Sequence, residues 1–215
     1  MKASDRAEFF SRLQELNPHP KTELLYNSTF ELLLAVMLSA QSTDIGVNKV
    51  TRRLFPKANT PEAILKLGLP ALRKAISSLG LYNAKAANVY ATCELLISRH
   101  NGEVPAERTA LEALPGVGRK TANVVLNTAF GEPTMAVDTH VFRLANRTGL
   151  APGKTVRQVE DKLMKVIPKP FLVNAHHWLI LHGRYVCKAR SPDCPNCVVR
   201  DLCSFTNKTS ATADS

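Results

Sequence analysis

The chain of 215 residues carries 28 lysines and arginines against 18 acidic residues, which gives a formal net charge of +10. This length allows one large domain or two small ones, and the positive charge favours a polyanionic partner, nucleic acid ahead of an anionic membrane surface. A membrane-spanning helix is not expected, because the longest apolar stretch, Leu32 to Leu38 with Phe30 ahead of it, falls well short of the roughly 20 residues required.

The first helices are predicted from local signals in the N-terminal half. The first ten residues carry charges and lack the apolar segment of a secretory signal, so we expect a cytoplasmic protein. Ser28 and Glu31 form a capping box ahead of the apolar stretch, which is therefore predicted to be a buried core helix. Thr60 followed by Pro61 has the pattern of a further helix start.

Helix signals continue to the C-terminal half, and no stretch alternates polar and apolar residues between turns, so the sequence predicts an all-α fold. The clearest long helix covers Asn83 to His100 and contains Cys93, which is expected to be a small core residue. Thr155 and Gln158 form another capping box. Four glycines are expected to end helices, namely Gly68, Gly80, Gly102 and Gly149. The polar stretch 206–215 is expected to be a flexible tail.

A helix-hairpin-helix pattern covers Leu114 to Thr121, where the sequence LPGVGRKT separates two helical segments. Gly116 and Gly118 allow the backbone to approach another molecule closely, and the free N–H groups at the start of the second helix suit a phosphate. Together with Arg119, the pattern predicts contact with a nucleic-acid backbone that is independent of base sequence. The alternative is an ordinary tight turn between packed helices.

Lys120 lies in the first turn of the helix that follows the hairpin. The helix dipole and the neighbouring Arg119 disfavour its charged form, which raises the fraction of free amine available as a nucleophile. Such an amine suits Schiff-base chemistry. A solvated lysine that contacts phosphate is an equally good interpretation of the position alone.

Asp138 lies in the segment Val137 to Val141, ahead of a helix that is predicted to end at Gly149. We predict that Asp138 is the N-cap of this helix. Its carboxylate could also stabilise positive charge that develops on a sugar ring, or assist a nearby amine, and the two roles are compatible. His140 is interpreted as a packed or hydrogen-bonded histidine rather than a ligand.

Four of the five cysteines are crowded near the C-terminus, at Cys187, Cys194, Cys197 and Cys203. In an intracellular chain this crowding predicts a metal site rather than a disulfide framework. Structural zinc sites commonly use two Cys-x2-Cys pairs, whereas this segment has one pair with single cysteines outside it, so the spacing modestly favours an iron-sulfur cluster. Lys188 and Arg190 could make the same loop a second phosphate-contacting surface.

At these residues the chain resembles the endonuclease III family of DNA glycosylases, within the helix-hairpin-helix glycosylase superfamily. The resemblance extends over nearly the whole chain and includes Leu38 to Asp44, Gly80 to Ala86, Leu114 to Asn127, Ala136 to Phe142, His177 to Tyr185 and the four-cysteine loop. It implies a two-lobed all-α fold with a C-terminal iron-sulfur cluster loop. A six-helix domain would cover 22–132, with the helix-hairpin-helix at about 107–130, and a cluster-containing helical domain would consist of 1–21 and 133–205.

The same resemblance implies that Lys120 is the nucleophile and Asp138 its carboxylate partner in base excision repair. The damaged nucleotide would be flipped out of the stack, the amine would expel the base, and a Schiff base would form with the opened sugar before β-elimination cuts the strand on its 3′ side. The implied substrates are duplex DNA with oxidised or ring-damaged pyrimidines, such as thymine glycol, and abasic sites. We expect a monomer that works at the nucleoid, since no heptad pattern indicates an oligomer.

Further roles follow from the resemblance alone. Gln41 and Leu81 match positions that enter the duplex and fill the gap, although from the residues themselves Leu81 would be interpreted as core and Gln41 as a loop residue. The four cysteines would hold one 4Fe–4S cluster that serves structure and DNA contact. The family's loop is usually more basic near Ser191 and Asp193, so a weaker affinity of this loop for DNA is expected.

Two other functions are compatible with part of the pattern. A monofunctional mismatch or adenine glycosylase of the same superfamily shares the hairpin, the aspartate and the cluster, but it lacks the catalytic lysine that Lys120 provides. A non-catalytic DNA-binding module would tolerate Lys120→Gln and Asp138→Asn without loss of function.

Overall fold

A computed structural model of the chain describes residues 1–210. Within this part of the chain the secondary structure is entirely helical, which confirms the predicted all-α fold. The α-helices are α1 (Ala3–Leu16), α2 (Thr29–Ser39), α3 (Asp44–Leu54), α4 (Pro61–Leu67), α5 (Leu69–Ala75), α6 (Tyr82–His100), α7 (Arg108–Glu112), α8 (Arg119–Phe130), α9 (Thr139–Thr148), α10 (Val156–Val166) and α11 (Leu172–Tyr185), with a short 3-10 helix at Lys169–Phe171.

The chain divides into two compact units, and each has its own hydrophobic core. One unit is Thr22–Glu132, and the other combines Met1–Lys21 with the chain from Pro133 onward. Among the described residues, no helix combines the length and the apolar character that crossing a bilayer requires.

Helix α2 forms the centre of the Thr22–Glu132 unit. Its residues from Phe30 to Leu38 are all buried, which confirms the prediction of a core helix, and it packs against α3, α6 and α8. The helix begins where the sequence indicates, because the Ser28 hydroxyl accepts a hydrogen bond from the Glu31 backbone N–H at 3.1 Å. A buried helix without polar faces provides a rigid base for the loops at its ends.

The helix ends agree with most of the glycine predictions. Gly68, Gly102 and Gly149 all lie in the left-handed region, which stops a helix at low cost. Residues 22–132, all of them described, form seven helices rather than six, because Gly68 at φ +82° separates α4 from α5. Gly80 was predicted to end a helix, but α5 already ends at Ala75 and Gly80 lies in the turn before α6.

The second unit joins the N-terminal helix to the C-terminal half of the chain. Phe10 of α1 stacks on Phe171 with ring centroids 5.7 Å apart, and the Trp178 indole N–H donates to the Asn17 carbonyl at 2.8 Å. Arg12 donates to Asp201 at 2.6 Å and to the Val198 carbonyl at 2.9 Å. The ring contact and the indole hydrogen bond hold the N-terminal segment against the helices of this unit, and the Arg12 contacts attach α1 to the segment that carries the four clustered cysteines.

Candidate functional site

The helix-hairpin-helix pattern folds as α7 and α8 joined by a tight turn. The turn is closed by backbone hydrogen bonds from Leu114 to Leu111 and from Val117 to Leu114, both at 3.0 Å. Val117 is 4% exposed and belongs to the core of its unit. The apolar side chain between the two glycines therefore anchors the turn from inside, while the backbone on either side of it remains at the surface.

The structure gives the two hairpin glycines different roles. Gly116 has φ +75°, and a Cβ atom there would lie 2.7 Å from the Asn88 side-chain nitrogen. Gly118 has φ −89°, and a Cβ atom there would have nothing within 4 Å. Gly116 is thus required by the turn and its packing, whereas Gly118 leaves open space next to the first N–H groups of α8.

We expect Gly116→Ala to lower the free energy of unfolding by about 2 kcal/mol, because it adds left-handed strain and a clash with Asn88. Gly118→Ala serves as the matched control and should cost less than about 1 kcal/mol, since only the preference of the helix N-cap changes. Urea unfolding of the two variants measures the difference. Equal losses in both variants would contradict the distinction.

Arg119 and Lys120 are the first two residues of α8. This helix begins at Gly118 without a side-chain cap, so no side chain competes for its first N–H groups. Lys120 is exposed, and the Arg119 guanidinium lies 3.9 Å from the Glu112 carboxylate across the hairpin. The N-terminus of α8 therefore combines an uncapped positive dipole end with two basic side chains, which suits an anionic group.

Helix α6 packs against the turn of the hairpin and holds it with two polar side chains, a feature that sequence reasoning missed. The Thr92 hydroxyl donates to the Pro115 carbonyl at 3.0 Å, and Asn88 fills the space beside Gly116. Residues 88 and 92 are one helical turn apart, so both lie on the same face of α6. Two polar residues at this spacing within the long helix predicted over Asn83 to His100 were the available signal.

The structure brings Gln41 and Leu81 together at the surface of the same unit. Gln41 has φ 54° and Leu81 has φ 57°, and both conformations are unfavourable for residues with a side chain. A Cβ atom on Gly80 would lie 3.7 Å from the Gln41 carbonyl oxygen, so the two loops are in contact. Leu81 is 60% exposed, which is inconsistent with a core residue. Strained, exposed residues of this kind are characteristic of functional loops.

Asp138 is the N-cap of α9, as the sequence predicted. Its Oδ1 atom accepts hydrogen bonds from the backbone N–H groups of His140 and Val141, both at 2.9 Å. The cap therefore uses one carboxylate oxygen and does not use Oδ2. Lys120 belongs to the Thr22–Glu132 unit and Asp138 to the other unit.

The four clustered cysteines line one cavity in the second unit, and none of them forms a disulfide. Arg147 and His182 also line this cavity. No group of three or more histidine, cysteine or acidic side chains within residues 1–210 is arranged to hold a single metal ion. Four thiols around a common cavity are the donor set that holds an iron-sulfur cluster.

Burial makes the thiolate forms of Cys197 and Cys203 unfavourable without a bound cation. It raises the pKa of Cys197 to about 11 and also raises the pKa of Cys203, and the neighbouring thiolates add to both effects. Cluster iron would supply the missing positive charge and keep the ligands deprotonated. The donor set therefore fits the group that its spacing indicates.

Two arginines of α9 hold the loop that begins at Cys187, and sequence reasoning missed both. Arg147 donates to the carbonyls of Lys188 and Ala189, at 2.6 and 2.9 Å, and its Nη1 atom lies 3.7 Å from Cys187 Sγ. Arg143 donates to the Cys187 carbonyl at 3.0 Å. Their spacing of four residues on α9 places both guanidinium groups on one face of the helix.

The charged loop between Cys187 and Cys194 is exposed where the sequence predicts phosphate contact. Lys188 and Arg190 are both exposed. Ser191 adopts φ 47°, and Asp193 is used within the loop, since its carboxylate accepts hydrogen bonds from the Asn196 side chain at 3.0 and 3.2 Å. The Asp193 carboxylate therefore keeps its charge but is engaged by a neutral partner within the loop.

Part of the segment predicted as a flexible tail is bound to the same loop. Lys208 donates to the Cys203 carbonyl at 2.7 Å. The Thr209 hydroxyl donates to the Pro192 carbonyl at 2.5 Å and accepts from the Cys194 backbone N–H at 3.3 Å. The tail prediction is thus wrong for Lys208 and Thr209, because these side chains satisfy carbonyl and N–H groups of the loop. Residues 211–215 lie outside the described part of the chain.

Comparison with known proteins places these features in one family. Residues 34–169 match the HhH-GPD superfamily of base excision DNA repair proteins, and residues 187–203 match the iron-sulfur binding domain of endonuclease III. Endonuclease III of Escherichia coli strain K12 is 61% identical, and that of Haemophilus influenzae is 63% identical, each over 97% of this chain and 99% of the relative. A solved structure of a trapped endonuclease III–DNA covalent intermediate is 47% identical, with a TM-score of 0.88, and the match covers 95% of this chain and 96% of that chain. A non-covalent endonuclease III–DNA complex matches with the same values.

Proposed function

The chain belongs to the endonuclease III family of base excision DNA repair proteins, and we propose that it removes oxidised or ring-damaged pyrimidines from duplex DNA through a covalent intermediate on Lys120. It is a DNA glycosylase with an associated AP lyase activity, and it carries one 4Fe–4S cluster. The exposed amine at the uncapped start of α8 is the observation that carries the assignment of the nucleophile.

Covalent chemistry is supported by the 47% identical relative that was trapped as an endonuclease III–DNA covalent intermediate. In this chain the Lys120 amine attacks the sugar carbon that bears the damaged base, and the bond to the base breaks with its electron pair on the base. Opening of the sugar ring gives a Schiff base with Lys120. Loss of a proton from the adjacent sugar carbon then expels the 3′ phosphate, so one lysine accounts for base release and strand cleavage.

Asp138 contributes a fixed negative charge in this proposal. The cap holds the carboxylate through Oδ1, and Oδ2 remains available to stabilise positive charge on the sugar or to assist the amine. A carboxylate held by the backbone loses little freedom when the transition state forms, which makes its electrostatic effect larger than that of a mobile side chain.

Asp138→Asn separates the cap from the chemistry, because asparagine is an equally good N-cap but carries no charge. We expect its free energy of unfolding to stay within about 0.5 kcal/mol of the native value, while single-turnover base release slows by about a hundredfold. Asp138→Ala should show the same kinetic loss together with about 1 kcal/mol of destabilisation. Native turnover by Asp138→Asn would leave the residue with a structural role only.

Three surfaces are proposed to contact the DNA. Gly116, Gly118 and Arg119 of the hairpin bind the phosphate backbone, and Lys188 with Arg190 provides a second basic contact. Gln41 and Leu81 enter the duplex, where an exposed leucine and an exposed amide side chain can replace the extruded nucleotide. The phosphate contacts are independent of base sequence, and only the insertion of Gln41 and Leu81 depends on the extruded nucleotide. This arrangement suits a protein that must find damage in any sequence.

Pyrimidine preference is proposed because ring-saturated pyrimidines stack poorly and cost less to extrude. A substrate panel tests it, with thymine glycol opposite adenine as the expected substrate and adenine opposite guanine as the control for a mismatch glycosylase. We expect fast release of the damaged pyrimidine followed by strand cleavage at the same site. Preferential release of mismatched adenine without strand cleavage would favour the monofunctional alternative. We further propose that the protein acts as a monomer at the nucleoid, where its substrate lies.

A further inference from the structure

Lys85 is a buried cation for which the proposed chemistry has no use. It is 7% exposed and lies in the first turn of α6, and its Nζ atom donates to the Ser42 hydroxyl at 2.8 Å. No carboxylate pairs with it among the described residues, and burial lowers the pKa of its side chain. A buried ammonium with a single neutral partner is costly, so a role other than stability is expected.

One end of this hydrogen bond is next to Gln41 in the chain, and the other is linked to Leu81 by a backbone hydrogen bond. Ser42 follows Gln41, and its backbone N–H donates to the Ser39 carbonyl at the end of α2. Leu81 is the N-cap of α6, and its carbonyl accepts from the Lys85 backbone N–H at 3.0 Å. The Lys85 side chain therefore links the loop after α2 to the loop before α6, where both neighbouring residues adopt left-handed conformations.

We propose that Lys85 is a positioning residue whose hydrogen bond to Ser42 fixes the spacing of the Gln41 and Leu81 side chains, so that both enter the duplex together. This inference rests on the proposed insertion of Gln41 and Leu81. Lys85, Asn88 and Thr92 lie along one face of α6, so the same helix supports the insertion loops and the hairpin. This face of α6 therefore sets the distance between the Gln41 and Leu81 loops and the hairpin.

The test uses the full-length, cluster-loaded protein with Lys85→Met, Ser42→Ala and the double variant. Methionine keeps the length and the apolar stem while it removes the buried charge, so folding should be retained, and thermal unfolding checks this. Lys57→Met removes an exposed lysine of the same unit and controls for the change in net charge. A 2-aminopurine placed opposite thymine glycol reports unstacking when the side chains enter.

We expect each single variant to reduce the 2-aminopurine signal and to slow thymine glycol release by about tenfold, as loss of one charged hydrogen bond would. Cleavage of a preformed abasic site, which has no base to extrude, should change by less than about threefold. The double variant should be no worse than either single one, because both remove the same bond.

Two results would overturn the inference. Equal losses on both substrates would indicate a general structural role for Lys85. A silent Ser42→Ala together with weaker binding and a smaller salt dependence in Lys85→Met would indicate a phosphate contact instead. Gln41→Ala and Leu81→Ala separate this inference from the proposed function. If these two variants keep the native 2-aminopurine signal, the proposed insertion of Gln41 and Leu81 is wrong. If they lose the signal and Lys85→Met keeps it, the insertion stands and only the positioning role of Lys85 is wrong.

Discussion

Lys120→Ala is expected to slow both base release and strand cleavage by at least about a thousandfold, because the variant lacks the amine that begins both steps. The side chain is exposed at the start of α8, so its removal leaves no cavity and the fold should be unaffected. Single-turnover assays on a thymine glycol duplex measure the release of the base and the cut strand separately.

DNA binding by Lys120→Ala should remain close to native, since the hairpin N–H groups, Arg119 and the basic cluster loop are unchanged. Lys57→Ala, at another exposed position in the same unit, is the matched control and should keep full activity. If Lys120→Ala retained base release and lost only strand cleavage, water would be the nucleophile and the lysine would act as a lyase group alone.

Cys197→Ser is expected to produce the second large effect, loss of the cluster and of the fold around it. Serine is a weaker ligand for iron than a thiolate. Without the cluster, the remaining three thiols would line a cavity whose walls are no longer joined by metal–ligand bonds. The purified variant should lack the yellow-brown colour and the violet absorption, and it should unfold at a lower temperature. Its DNA affinity should also fall, because Lys188 and Arg190 lie in the loop that the cluster holds.

Cys93→Ala is the control, because Cys93 is fully buried in the core of the Thr22–Glu132 unit, whereas the four clustered cysteines belong to the other unit. It should keep the absorption and lose only about 1 kcal/mol of stability through the small cavity it leaves. Native absorption in Cys197→Ser would show that the cluster does not depend on this ligand. Stoichiometric zinc in the native protein would contradict the cluster itself.

Helix starts and the cysteine motif could be predicted from the sequence because their causes are local. Ser28, Thr60, Asp138 and Thr155 each bind backbone N–H groups within three residues of their own position, and the structure has all four as N-caps. The cysteine spacing is likewise a local signal, and the family comparison bears out the iron-sulfur interpretation. The proposal that Lys120 is the nucleophile needed the resemblance, since an exposed lysine in the first turn of a helix fits two interpretations equally well.

The missed features depend on contacts between residues distant in sequence. The strain at Gln41 and Leu81 arises where two loops meet, and the buried Lys85 amine is hydrogen-bonded to a hydroxyl 43 positions away. Arg147 holds the cysteine loop from another helix, 40 positions before Cys187. Lys208 and Thr209 were assigned to a flexible tail because their composition is polar, although their hydrogen bonds to the loop satisfy backbone groups that local sequence does not reveal.

The most direct test of the central claim is to map the amine that becomes attached to DNA. The native protein is incubated with a duplex that contains one thymine glycol, the intermediate is reduced with borohydride, and the protease-digested adduct is sequenced by mass spectrometry. A deoxyribose fragment on Lys120, and on no other amine, is the predicted result. An adduct on another lysine or on the N-terminal amine, or no adduct from a protein that binds and processes the substrate, would contradict the assignment of Lys120 as the nucleophile.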